Sequence, residues 1–204
     1  MTVLAYPCKP NTLTDVLHLP RLDVAALLPK LRTGDLLFAS GQAVLSKTIQ
    51  RLTDSPWSHC AMILRVGDEV EGVFVLESHG LTGVRLSPLL SYVQGGEGRR
   101  AYHGRIVLAR WDGLQPVHAR QILNSGLMSL RQMFGYTQLL RIGYLILQAK
   151  PRLYNAVTHQ FVCSELVHAC LQHAGLPVFP DDRGFVSPAS LWCHQQVYLL
   201  GRVR

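Results

Sequence analysis

Residues 57–78, WSHCAMILRVGDEVEGVFVLES, read as a β-hairpin, and an antiparallel sheet follows from them. SHCAMILRV is a nearly continuous apolar strand, GDEVEG a turn-rich connector and VFVLES a second strand. Side chains alternate across a strand, so His59, Ala61, Ile63 and Arg65 share one face, and Val73, Val75, Glu77 and His79 share one on the partner. Setting Val66 opposite Gly72 puts His59 opposite His79 and diagonal to Glu77; a shift of two residues puts His59 opposite Glu77 itself. In either register a carboxylate lies within reach of the imidazole, at the ~5 Å direct or ~7 Å diagonal spacing of cross-strand pairs. A slip of one residue would part them. His79 lies on the same face and is a rival partner for His59.

Upstream, Arg32 to Ser40 (RTGDLLFAS) opens with a Gly-Asp turn and runs into an apolar strand. Gly41 to Leu52 is a short amphipathic helix, with Ala43, Val44, Ile49 and Leu52 apolar, and Asp54-Ser55-Pro56 ends it. Residues 1–30 carry Pro7, Pro10, Pro20 and Pro29, which break any long element, and are expected to pack as a lead-in. Downstream, a turn and a short strand or loop around GVRL precede a connector, GGEGRR, and a strand, Tyr102 to Trp111. Gln115 to Gly135 has helical spacing at Ile122, Leu123, Leu127, Leu130 and Phe134. Thr137 to Lys150 reads as a second apolar helix, and the tail carries the short helix SPASLW and a last strand, QVYLLGRV. Strands, then helices, then a closing strand make an α+β domain.

A further helix, within QFVCSELVHACLQHAG (160–175), carries Cys163 in its first turn, with Asn155 and Thr158 as capping candidates and Gly175 and Pro177 as stop signals. Unpaired N–H groups and the aligned peptide dipoles favour an anion there, and a thiolate is the anion a cysteine nucleophile needs. Cys170, on the apolar face with Val162, Leu166 and Ala169, suits the core. Glu165 suits the helix start as a first-turn acid. A thiol at a helix start, an imidazole on a strand and a carboxylate on the next strand are the three parts of thiol-based acyl transfer. The competing readings are a packed histidine for His59, a surface charge for Glu77 and a core thiol for Cys163.

Composition narrows the classes. The 204 residues, 48% hydrophobic and 16% charged, suit one compact domain. No stretch approaches the ~20 apolar residues of a membrane span. The N-terminus has no Sec-type pattern, and five cysteines without paired spacing read as reduced thiols, so a cytoplasmic location is expected. The net charge of +7 comes mostly from sixteen arginines scattered along the chain, with only Arg99 and Arg100 adjacent, which argues against nucleic acid and leaves peripheral contact with an acidic membrane surface open. There is no C-x-x-C pair, and Cys170-x-x-His173 stands alone, so neither zinc nor any other cofactor is expected.

The succession RTGDLLF, SPWSHCAMIL, VFVLESHG, QFVCSELV and SPASLW resembles the circularly permuted NlpC/P60 family of papain-like cysteine hydrolases, specifically its YiiX/YebB-like branch. The likeness runs from about Arg32 to Leu191 and is sharp in four short patches. It implies a permuted papain-like fold, an antiparallel sheet or partial barrel packed against helices, spanning residues 31–204. By position it implies Cys163 as nucleophile, His59 as base and Glu77 as the orienting residue. Phe134-Gly135-Tyr136-Thr137 departs from the Gly-x-x-Tyr pattern common in that family. The expected substrate is a small-molecule, peptide or lipid-like acyl compound. Amide or peptide hydrolysis leads, lipid acyl hydrolysis or transfer comes second, and an inactive binding module is the alternative from another class.

Overall fold

The computed structural model describes residues 16, 18–67, 72–96, 100–130, 132–134, 160–176, 178 and 186–204. The hairpin forms as β2 (His59–Arg65) and β3 (Val73–His79). Met62 pairs with Leu76 and Arg65 with Val73, and the Val66 N–H donates to the Gly72 carbonyl at 2.8 Å. This is the register that leaves Glu77 diagonal to His59.

Four more strands extend it: β1 (Leu36–Gly41), β4 (Gly83–Pro88), β5 (Gly104–Trp111) and β8 (Val197–Arg202). They form an open antiparallel sheet in the order β4-β3-β2-β1-β5-β8, so of the two expected forms the sheet holds and the partial barrel does not. The central strands are apolar on both sides because both sides are covered. On one, Phe38, Cys60, Met62, Leu64 and Trp111 pack with α4 (Pro116–Met128), α5 (Cys163–His173) and α6 (Pro188–Cys193). On the other, Leu37, Ala61, Ile63 and Val75 pack with α1 (Val24–Leu27), the 3-10 turn Leu28–Lys30 and α3 (Leu89–Gln94). Burial on two faces removes the polar alternation of a half-exposed strand and yields the near-continuous run of SHCAMILRV.

α2 (Val44–Thr53) comes after β1 and stops at Asp54, whose φ of 46° is left-handed. α6, from the SPASLW stretch, seats Trp192 against Phe38 and Trp57, with ring centroids 5.1 and 4.8 Å away. The Gly-Asp turn is structural. Gly34 has a φ of 96° with Leu114 pressed over it, and buried Asp35 takes both Nε and Nη2 of Arg110, at 2.6 and 2.8 Å.

Two expectations differ from what is observed. The helix expected over Gln115–Gly135 ends at Met128, where the Ser129 hydroxyl donates to the Ser125 carbonyl at 2.9 Å. The chain then turns so that the Gln132 carbonyl accepts the Val84 N–H at 2.8 Å, which leads Met133–Phe134 (β6) into a parallel pair with Gln160–Phe161 (β7). α3 begins directly after Pro88, where no helix was expected. The helix expected at Thr137–Lys150, the capping candidates Asn155 and Thr158, and Tyr136 lie outside the described residues. No described helix is long and apolar enough to cross a membrane.

Candidate active site

The end of the sheet where β2 starts and β3 stops also receives the start of α5. His59 is the first residue of β2, Glu77 lies near the end of β3 and Cys163 is the first residue of α5, so the fold brings the three expected side chains together. His59 Nε2 lies 3.0 Å from Glu77 Oε2. Its other ring nitrogen, Nδ1, is left for Cys163, whose sulfur acts on the imidazole.

Glu77 is only 2% exposed and is fully engaged. Its Oε1 accepts Nε and Nη2 of Arg85 at 2.9 and 2.7 Å, while Oε2 accepts the Tyr92 hydroxyl at 3.1 Å beside His59. Burial pushes its pKa up, but His59 and Arg85 prevail and hold it at about 2. His79 does not take the orienting place. Its Nδ1 accepts the Leu81 N–H at 3.3 Å and faces the Thr82 hydroxyl, which ties the ring to the β3–β4 turn.

Cys163 is half-buried. Its pKa lies well below the ordinary thiol value. The hydrogen bond from the Cys60 thiol lowers it most, burial opposes, and the bonds from His59 and the Cys60 backbone lower it further. Burial opposes the charge on His59 as well, yet the Cys163 sulfur and Glu77 raise its pKa to about 10. The two shifts run in opposite directions, the imidazole's up and the thiol's down, and both favour a thiolate–imidazolium pair beside an ionised carboxylate. The start of α5 is closed from within, since Glu165 Oε2 accepts the Val162 N–H at 3.1 Å. Cys170, fully buried, has its pKa pushed up to about 11 by burial, the behaviour of a core thiol.

Arg85, Tyr92 and Cys60 escaped the sequence reading. Arg85 pairs directly across from Glu77 in β3–β4, so a closer reading of the GVRL strand as a charge partner would have found it. Tyr92 belongs to α3, which was not expected. Cys60 packs in the core with Leu166 and still meets the Cys163 sulfur at the start of the strand. A cleft of about 620 Å³ opens beside the sulfur, walled in part by Ile49, Ser58, Arg85, Tyr92, Arg100 and Tyr102.

Residues 30–138 match the profile of a family described as permuted papain-like amidase enzymes, YaeF/YiiX, C92 family. That span holds His59 and Glu77; Cys163 lies beyond it. Among solved structures, yiiX from Escherichia coli O157:H7, described there as a metalloprotein, aligns with a TM-score of 0.60 at 20% identity, over 82% of this chain and 95% of that one. Among the described residues here, no three His, Cys, Asp or Glu side chains group as a metal ligand set. No curated protein matches the chain.

Proposed function

The chain belongs to the YaeF/YiiX family of permuted papain-like amidases, and from that footing we propose that it is a cysteine hydrolase that cleaves an amide or peptide-type bond with Cys163, His59 and Glu77. The observation that carries this reading is the His59 imidazole held 3.0 Å from the Glu77 carboxylate and beside the Cys163 sulfur, where the neighbouring groups raise the pKa of the ring and lower that of the thiol. The wider kinship with NlpC/P60 hydrolases rests on the short sequence patches around Asp35, His59, Glu77, Cys163 and Trp192 and is part of the proposal, as is a cytoplasmic location.

The thiolate attacks the carbonyl carbon, and the pair of electrons displaced onto oxygen is held by the Cys163 N–H at the start of α5, a group with no partner inside the helix. The tetrahedral intermediate collapses to a thioacyl-enzyme as His59 Nδ1 passes its proton to the leaving amine. The neutral imidazole then takes a proton from water, whose oxygen attacks the thioester, and the acid leaves with the thiolate and imidazolium restored. Glu77 keeps the ring oriented and offsets its charge throughout.

A p-nitrophenyl ester tests this without knowledge of the natural substrate. The expected result is a burst of nitrophenolate approaching one per protein, with the acyl adduct on Cys163 found by mass spectrometry. No adduct, or an adduct on another residue, would favour the inactive-module reading. Turnover of phospholipid vesicles but of no amide would favour the lipid acyl alternative.

A further inference from the structure

We propose that the cleft grips its substrate by an acidic group, so that the bond cleaved lies close to a carboxylate or phosphate, with Arg100 as the anchoring cation. The inference rests on the reading of Cys163 as the nucleophile and adds the substrate class.

Glu77 is the one carboxylate among the described residues lining the cleft, and it has nothing to offer a ligand. Both its oxygens are taken, by Arg85 on one side and by His59 and Tyr92 on the other. A substrate ammonium would find no acceptor carboxylate there.

Donors, by contrast, are in supply. Arg85 spends Nε and Nη2 on Glu77, and its side chain, 36% exposed, lines the cleft with Nη1 not spent on Glu77. Arg100 is exposed on the same wall. His79 accepts the Leu81 N–H at Nδ1, so its Nε2 carries the proton, and the ring lines the cleft as a neutral donor. Ser87 and Ser91 line the same cleft. The thiolate offsets the imidazolium and Glu77 offsets Arg85, which leaves the charge of Arg100 uncancelled among the described lining residues. A planar fork of N–H donors suits carboxylate and phosphate oxygens.

The test compares alkylation of Cys163 by iodoacetate, an anion, and iodoacetamide, its neutral counterpart, in the full chain at neutral pH. The ratio of the two rates is divided by the same ratio for free cysteine. It is expected to be at least ~10-fold above one, and Arg100→Gln is expected to lower it roughly fivefold, the effect of one charge near the reacting atom in a wet cleft. Arg100→Lys is expected to retain most of the preference. A ratio near one overturns the proposal, and so does a raised ratio that Arg100→Gln leaves unchanged, since the imidazolium alone would then explain it. Cys163 that alkylates readily without preference defeats this inference and spares the nucleophile; Cys163 inert to both reagents defeats the nucleophile reading and this inference with it. Protection from iodoacetamide by N-acetylglycine or by glycerol phosphate identifies carboxylate or phosphate as the group bound. Equal protection by N-acetylglycine and its uncharged amide counts against an acidic group.

Discussion

Cys163→Ala is expected to remove the nitrophenolate burst and lower ester turnover at least ~1000-fold, the scale of losing a covalent nucleophile. Cys163 is the one thiol among the described residues lining the cleft; exposed Cys193 is not among them. Cys60 and Cys170 are buried, and burial raises the pKa of both, so neither supplies a thiolate at neutral pH. The fold is expected to persist, since the sulfur is half-buried and most of α5 is held by Leu166, Val167, Cys170 and Leu171. Without the thiolate, His59 loses the strongest of the influences that raise its pKa, so its titration, followed by NMR, is expected to move down from about 10. Cys170→Ala, by contrast, is expected to keep the burst and lose some stability to the cavity. Equal loss of activity in the two variants would contradict the assignment.

Glu77→Ala carries the second large effect, on stability as well as rate. The carboxylate, only 2% exposed, offsets the charge of Arg85 and accepts from His59 and Tyr92, and its removal leaves the guanidinium charge and the donors of both other side chains without their acceptor. Breaking a buried ion network by deleting one partner costs about 3–5 kcal/mol, read as a lower urea midpoint. Glu77→Gln keeps the shape and part of the hydrogen bonding, so it is expected to slow turnover less than loss of the thiol does. The pH dependence has a definite sign. A carboxyl at about 2 in the fold and at its ordinary 4.5 in the unfolded chain contributes stability that is present above 4.5 and lost as pH falls through 2. Between those values the wild-type urea midpoint is expected to fall more steeply than that of Glu77→Gln. Parallel slopes would mean that Glu77 is not held ionised by its neighbours.

Much of this site was legible in the sequence because it depends on period and order. The apolar run from His59 to Val66 and its partner ending at Glu77 permit few pairings, and the one adopted is fixed by Val66 against Gly72. Cys163 was legible because the helical spacing of Leu166, Ala169 and Cys170, stopped at Gly175, places it in a first turn. The missing parts depend on contacts that local pattern does not encode. Tyr92 reaches Glu77 from α3, six residues that start without a side-chain cap. Arg85 reads as an ordinary exposed strand residue until the β3–β4 register sets it opposite a buried acid. Helical spacing continues through Leu130, yet Ser129 ends the helix and Gln132 bonds to β4, a tertiary preference that the spacing does not carry.

The central claim is that Cys163 rests as a thiolate paired with His59, and the pH dependence of its alkylation by iodoacetamide, with the modified residue located by mass spectrometry, tests that most directly. The account predicts preferential labelling of Cys163 well below the ordinary thiol pKa of about 8.5, at a rate nearly flat through neutral pH, and loss of that behaviour in His59→Ala. Labelling of Cys163 that rises only through about 8.5 and is indifferent to His59 would contradict it.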